Sequence, residues 1–192
     1  IFDVEIKSVE SDMRKIAKIM NFGVLYGLSP YGISQQTGLT PQQGQQFIEA
    51  YFGSYPKIPE YLEYTKLQAK TNGFVETLLG RRRYIPEINS ANFQIRSSGE
   101  RMAVNMPIQG TSADIIKISM INLQETLNTL GLQAQMLIQV HDELILESPI
   151  HEVDQVCSIL NETMPSAVKL SVPLDIEIKT GVNWNDMKTI LG

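Results

Sequence analysis

The chain has 192 residues, 43% of them apolar and 19% charged, with a formal net charge of −5; it is long enough for one large or two small domains with a real core. No apolar run reaches the ~18 residues that a membrane span needs, and no signal-peptide pattern opens the chain. The single cysteine, Cys157, excludes an internal disulfide, so a cytosolic setting is expected.

Residues 11–27 read as the first helix. Ile16, Ala17, Ile19, Met20, Gly23 and Val24 form a broad apolar and small-residue arc, which turns Arg14, Lys18, Phe22 and Tyr26 outward. Gly27, Ser29 and Pro30 are expected to end it. Thr40-Pro41-Gln42-Gln43 is a capping box with proline at the first helical position, opening a helix over 41–53. A further helix covers 59–72 and is closed by Gly73. Phe74 to Leu79 and Arg83 to Ile85, around a turn at Gly80, read as a hairpin within 74–86. From Ala91 to Leu130 the pattern is helical again, with an expected interruption at Pro107 and Gly110 and a new helix from Thr111 or Ser112. Strands follow over 133–148, joined tightly at His141-Asp142-Glu143, then a helix from Glu152 and a third strand at 173–179. The fold expected is therefore α+β and mostly helical, in two parts: a helical 1–90 with one hairpin, and a 91–192 region with antiparallel strands and flanking helices.

Arg14, Lys18, Phe22 and Tyr26 recur every fourth residue, so on a helix each sits almost above the last. Two cations followed by two aromatics can hold an anionic tail and a flat ring in sequence, which is the shape of a nucleoside triphosphate. A solvated face is the plain alternative for Arg14 and Lys18. Large aromatics continuing the same stripe argue against it, because exposed rings cost solubility unless they meet a partner. Downstream, Asp142-Glu143 puts two adjacent carboxylates at the end of an apolar run, where they can serve the divalent metals that a triphosphate carries. Strand alternation sends neighbours to opposite faces, which makes Asp142 the first choice of ligand and Glu143 the second. His141 directly precedes them and is placed at a nucleic acid; His151 receives no role. Arg101, Asn105 and Gln109 form a second polar series at four-residue spacing, of side-chain types suited to phosphates and base edges. Arg81-Arg82-Arg83 fits phosphate binding and simple surface charge equally well.

Charge supports a division of labour. Residues 1–90 hold 10 Lys+Arg against 9 Asp+Glu, a balance of +1, while 91–192 hold 6 against 12, a balance of −6. A near-neutral part can hold phosphates and an acidic part metals. The sequence opens at Ile1 inside an amphipathic stretch, as a piece of a longer protein would.

These residues resemble family A DNA polymerases, the bacterial DNA polymerase I group. Arg14-x3-Lys18-x3-Phe22-x3-Tyr26-Gly27 is similar to that family's nucleotide-binding helix in the fingers, and Gln139-Val140-His141-Asp142-Glu143 to its palm metal motif. Thr77 to Pro86, Glu100 to Gly110 and Gly181-Val182-Asn183-Trp184 are similar too, so the resemblance runs in order along essentially the whole chain. It implies fingers over 1–90 and the C-terminal part of the palm over 91–192. It further implies template-directed addition of a dNTP to a primer 3′-hydroxyl in replication and repair, with two Mg²⁺ ions. By the same resemblance Arg14 and Lys18 hold the triphosphate, Phe22 stacks on the sugar and base, and Tyr26 guards the templating position. Lys18, Asp142 and Glu143 are then catalytic, Asp142 and Glu143 bind metal, and Gly27, Arg101, Asn105, Gln109 and His141 contact primer-template DNA. The family's other metal-binding aspartate lies in an Asp-Tyr-Ser-Gln-x-Glu-Leu-Arg motif that this sequence lacks. The isolated chain is accordingly expected to be inactive without the upstream palm and thumb. A non-catalytic nucleic-acid-binding module derived from a polymerase is the alternative. No GxxxxGK[ST] phosphate loop points to another phosphate-binding class.

Overall fold

A computed structural model describes residues 4–191, and the chain divides within one long helix, between Ile108 and Gln109, into two compact units. In the first unit, α1 (Ser11–Leu25) buries Met20 and Val24. They meet Ile33 of α2 (Pro30–Thr37) and the partly buried Ile16, Leu28, Phe47, Ile48 and Phe52 in one apolar cluster. The sequence expectation carried no helix at α2. The residues read there as the end of α1 also begin the next helix: Ser29 Oγ accepts from the Gly32 N–H at 3.1 Å, and Pro30 occupies the first turn, where its missing N–H costs nothing.

The capping box of α3 (Pro41–Ser54) is present with both of its bonds. Thr40 Oγ1 accepts from the Gln43 N–H at 3.2 Å, and Gln43 Oε1 accepts from the Thr40 N–H at 2.9 Å. Gly44 lies against α2 so closely that an added Cβ would stand 2.9 Å from the Pro30 carbonyl oxygen. Helix α4 (Lys57–Asn72) ends at Gly73, whose φ of 77° closes it in the left-handed region. The hairpin is short: β1 (Phe74–Glu76) pairs antiparallel with β2 (Arg82–Tyr84). Its core side, Val75, joins Ala69, Ile85, Ile88, Ala103 and Met106 in a second apolar cluster.

The expected break at Pro107 does not occur. Helix α5 (Phe93–Leu130) runs through it. A proline inside a helix forfeits a backbone bond and crowds the carbonyl four residues back, a cost of about 3 kcal/mol. Ala103, Val104 and Met106, all buried just before it, hold the backbone helical up to the proline. Tertiary packing overrides the local signal there.

In the second unit, Leu123 and Leu127 of α5 pack with Ala134 and with Val156 and Ile159 of α6 (Val153–Thr163). The hairpin β3 (Gln135–Val140) and β4 (Glu143–Glu147) contributes Met136, Leu144 and Leu146 to this cluster. Its register shifts between Met136 and Ile138, so Leu137 is an extra residue that bends the strand. Buried Glu152 accepts from the backbone N–H groups of Gln133 and Ala134 at 3.0 Å, tying the start of α6 to the start of β3. The third expected strand is shorter and displaced. β5 (Ile178–Thr180) pairs antiparallel with β6 (Lys188–Leu191), a strand the sequence expectation missed, and among the described residues these two form their own two-stranded sheet. Among the described residues no helix is long and apolar enough to cross a membrane.

Candidate functional site

Arg14, Lys18 and Phe22 of the expected stripe stand exposed on α1, whereas Tyr26 lies just past its end, at the C-cap, and is half-buried. Arg14 and Lys18 are exposed and pair with no carboxylate among the described residues. Phe22 is 51% exposed although its neighbours Met20 and Val24 are buried. The Phe22 and Tyr26 rings are nearly parallel, with 6° between their planes and 6.5 Å between centroids. The helix therefore offers two uncompensated cations and then two flat faces of one orientation. Their exposure keeps the two charges available to an anion instead of spending them inside the fold.

Gly27 ends this stripe with φ of 77°, a conformation that L side chains rarely adopt. An added Cβ there would meet Arg101 Cγ at 3.6 Å. The aliphatic stem of Arg101 thus lies against the turn that follows Tyr26, while its guanidinium Nη1 donates to Ser97 Oγ at 3.1 Å. Nothing in the sequence pattern links Gly27 with Arg101; the packing of α5 in the first unit does. Asn105, one turn on from Arg101, is half-buried. Beneath α1 is a cavity of about 190 Å³ lined by Val24, Leu28, Ile48, Phe52 and Leu62 among others, which shares Gly27 with the stripe but none of its four side chains.

Arg82 and Arg83 of the hairpin take different partners. Arg82 Nε donates to Glu76 at 2.6 Å and its guanidinium lies 4.5 Å over the Phe74 ring, and the Glu76 hydrogen bond holds its pKa above the ordinary arginine value. Arg83 Nη2 instead reaches the thioether of Met102 at 3.2 Å.

In the second unit, His141 and Asp142 form the turn between β3 and β4. His141 has φ of 53°, the one positive φ outside glycine among the described residues. The Gln139 side-chain amide donates to the His141 carbonyl and braces this turn. Asp142 is thereby released from the strand ladder, whereas Glu143 is the first residue of β4, opposite Val140. Both carboxylates are exposed, and so are His141 and, at the start of this unit, Gln109. Among the described residues no group of three or more His, Cys, Asp or Glu side chains gathers as a complete metal cage. A pair of hard carboxylates at a turn nevertheless suits a cation that draws the rest of its shell from water and phosphate oxygens.

The family model described as DNA polymerase family A matches residues 1–186. DNA polymerase I of Geobacillus stearothermophilus is 47% identical over 188 residues, which is 98% of this chain and 22% of that protein. DNA polymerase I of Deinococcus radiodurans is 46% identical over 181 residues, 94% of this chain and 19% of its own length. The chain thus spans about a fifth of the length of these curated relatives. Among solved structures, the POL domain of Pol1 from M. smegmatis in complex with DNA primer-template and dNTP is similar with a TM-score of 0.86 and 41% identity, over 91% of this chain and 31% of that one. With the α1 stripe and the β3–β4 turn as they stand, and a family match over nearly every residue, this chain belongs to DNA polymerase family A.

Proposed function

We propose that this chain supplies the nucleotide-binding fingers and part of the metal-binding palm of a DNA-directed DNA polymerase, a nucleotidyltransferase that extends a primer along a template. The observation that carries the reading is the α1 stripe, in which Arg14 and Lys18 stay exposed and, among the described residues, pair with no carboxylate, while Phe22 and Tyr26 continue it as nearly parallel rings. In this role Arg14 forks onto outer phosphate oxygens of the dNTP and Lys18 places a compact charge beside the phosphate that is transferred. Phe22 lies on the sugar and base, and Tyr26 stands at the templating position. Arg101 and Gly27 meet the primer-template next to Tyr26; Asn105, Gln109 and His141 are further primer-template contacts.

Asp142, with Glu143 beside it, would hold Mg²⁺, a cation that prefers hard oxygen ligands. When bound, the metal neutralises charge on the phosphates and activates the primer hydroxyl. The remaining work belongs to the protein: Arg14 and Lys18 fix the triphosphate, the aromatic pair sets the plane of the base, and the braced His141 turn fixes where Asp142 projects.

The test is Lys18→Ala in the full-length protein. Removing one preorganised charge from a transferring phosphate is expected to lower the single-turnover incorporation rate by roughly 10²–10³-fold. Primer-template affinity, measured separately by anisotropy, should change little. A normal incorporation rate in the variant would overturn the reading.

A further inference from the structure

Of the three consecutive arginines in the hairpin, we infer that Arg83 is an additional DNA-backbone contact, a positioning residue that grips a phosphodiester. This rests on the polymerase reading above. The register separates the side chains: Glu76 stands opposite Arg82, and Val75 opposite Arg83. Consecutive residues of a strand point to opposite faces, and directly paired residues share one. Arg82 is therefore on the face of Glu76 and Phe74, where its charge is neutralised at 2.6 Å and its plane is stacked on a ring. It is consumed by the hairpin itself.

Arg83 shares the side of Val75, which is 4% exposed and belongs to the core that also takes in Ala103 and Met106 of α5. Its stem is led from the hairpin onto α5, where the guanidinium finds Met102 Sδ at 3.2 Å. A thioether is a weak acceptor. It orients the guanidinium without cancelling its charge, and no carboxylate pairs with Arg83 among the described residues. Glu100, two residues before Met102, is engaged by Lys70 at 3.1 Å. Met102 directly follows Arg101, whose stem lies on Gly27. Arg83 is thus a second exposed guanidinium that pairs with no carboxylate among the described residues, held on α5 by a neutral contact. An exposed cation with no carboxylate partner keeps its charge available to a polyanion such as a nucleic-acid backbone.

The experiment measures primer-template Kd for the full-length protein by fluorescence anisotropy from about 50 to 200 mM salt. Each neutralised phosphate contributes about 0.9 to the slope of log K against log salt. Arg83→Gln and Arg83→Ala are expected to lower the slope by that amount and to weaken binding equally on unrelated sequences, whereas Arg83→Lys retains the slope. Arg82→Ala retains it too, since that charge is already paired. An unchanged slope in Arg83→Gln, or an equal loss in Arg82→Ala, overturns the inference. A wild-type protein that fails to bind primer-template at all would instead overturn the polymerase reading on which it rests.

Discussion

Gly27→Ala, compared with Gly38→Ala, separates backbone strain from a role at the site. Both glycines terminate helices in the left-handed region, with φ of 77° and 74°. Nothing lies within 4 Å of a Cβ at Gly38, and at Gly27 the added atom meets only Arg101 Cγ at an ordinary 3.6 Å. Neither substitution creates a steric clash, so the cost in both is the left-handed backbone itself, about 1–2 kcal/mol. That corresponds to roughly a five- to thirty-fold shift in the local opening equilibrium. Native-state hydrogen exchange reads it directly at the Leu28 amide, bonded to the Gly23 carbonyl at 2.7 Å, and at the Gly38 amide, bonded to that of Ser34 at 3.1 Å. The two variants should lose protection by similar factors, each at its own turn. Their effect on DNA should differ: Gly27→Ala loosens the surface on which the Arg101 stem rests and weakens primer-template binding several-fold, while Gly38→Ala does not. Equal DNA affinities in the two variants would refute the placement of Gly27 and Arg101 at the duplex. Unchanged protection at Leu28 would refute the strain argument.

Asp142→Asn is expected to lower single-turnover incorporation by at least the roughly 10²–10³-fold of a lost electrostatic contact. Glu143→Gln should be milder, because Glu143 is held in the β4 ladder while Asp142 projects from the turn; the reverse order of rates in rapid-quench assays would exchange their roles. Hydrogen bonds from Lys179 and then Thr189 hold the Glu177 carboxyl below its ordinary pKa. Its support of the β5–β6 hairpin is therefore full above the usual carboxylate range and is lost as pH falls through the lowered value. An NMR titration of Glu177 checks this, and Thr189→Val should move the midpoint upward.

Much of this architecture is readable locally because the signals act within a few residues. The Thr40–Gln43 box, the Gly73 cap and the period-four stripe of α1 are all set by neighbours on one helix. The turn at His141 and Asp142 was legible from the apolar runs beside it, although not the positive φ that frees Asp142 from strand alternation. Other features depend on which surfaces meet. A proline signals a helix end by its missing N–H, and only the burial of Ala103, Val104 and Met106 reverses that signal at Pro107. The pairing of β5 with β6 needs two short segments to find each other across a turn, which no periodicity within either one announces. Arg82 and Arg83 are chemically identical in the sequence. The hairpin register gives one to Glu76 and the other to Met102, because alternate residues of a strand face opposite ways and only the packing decides what waits on each side.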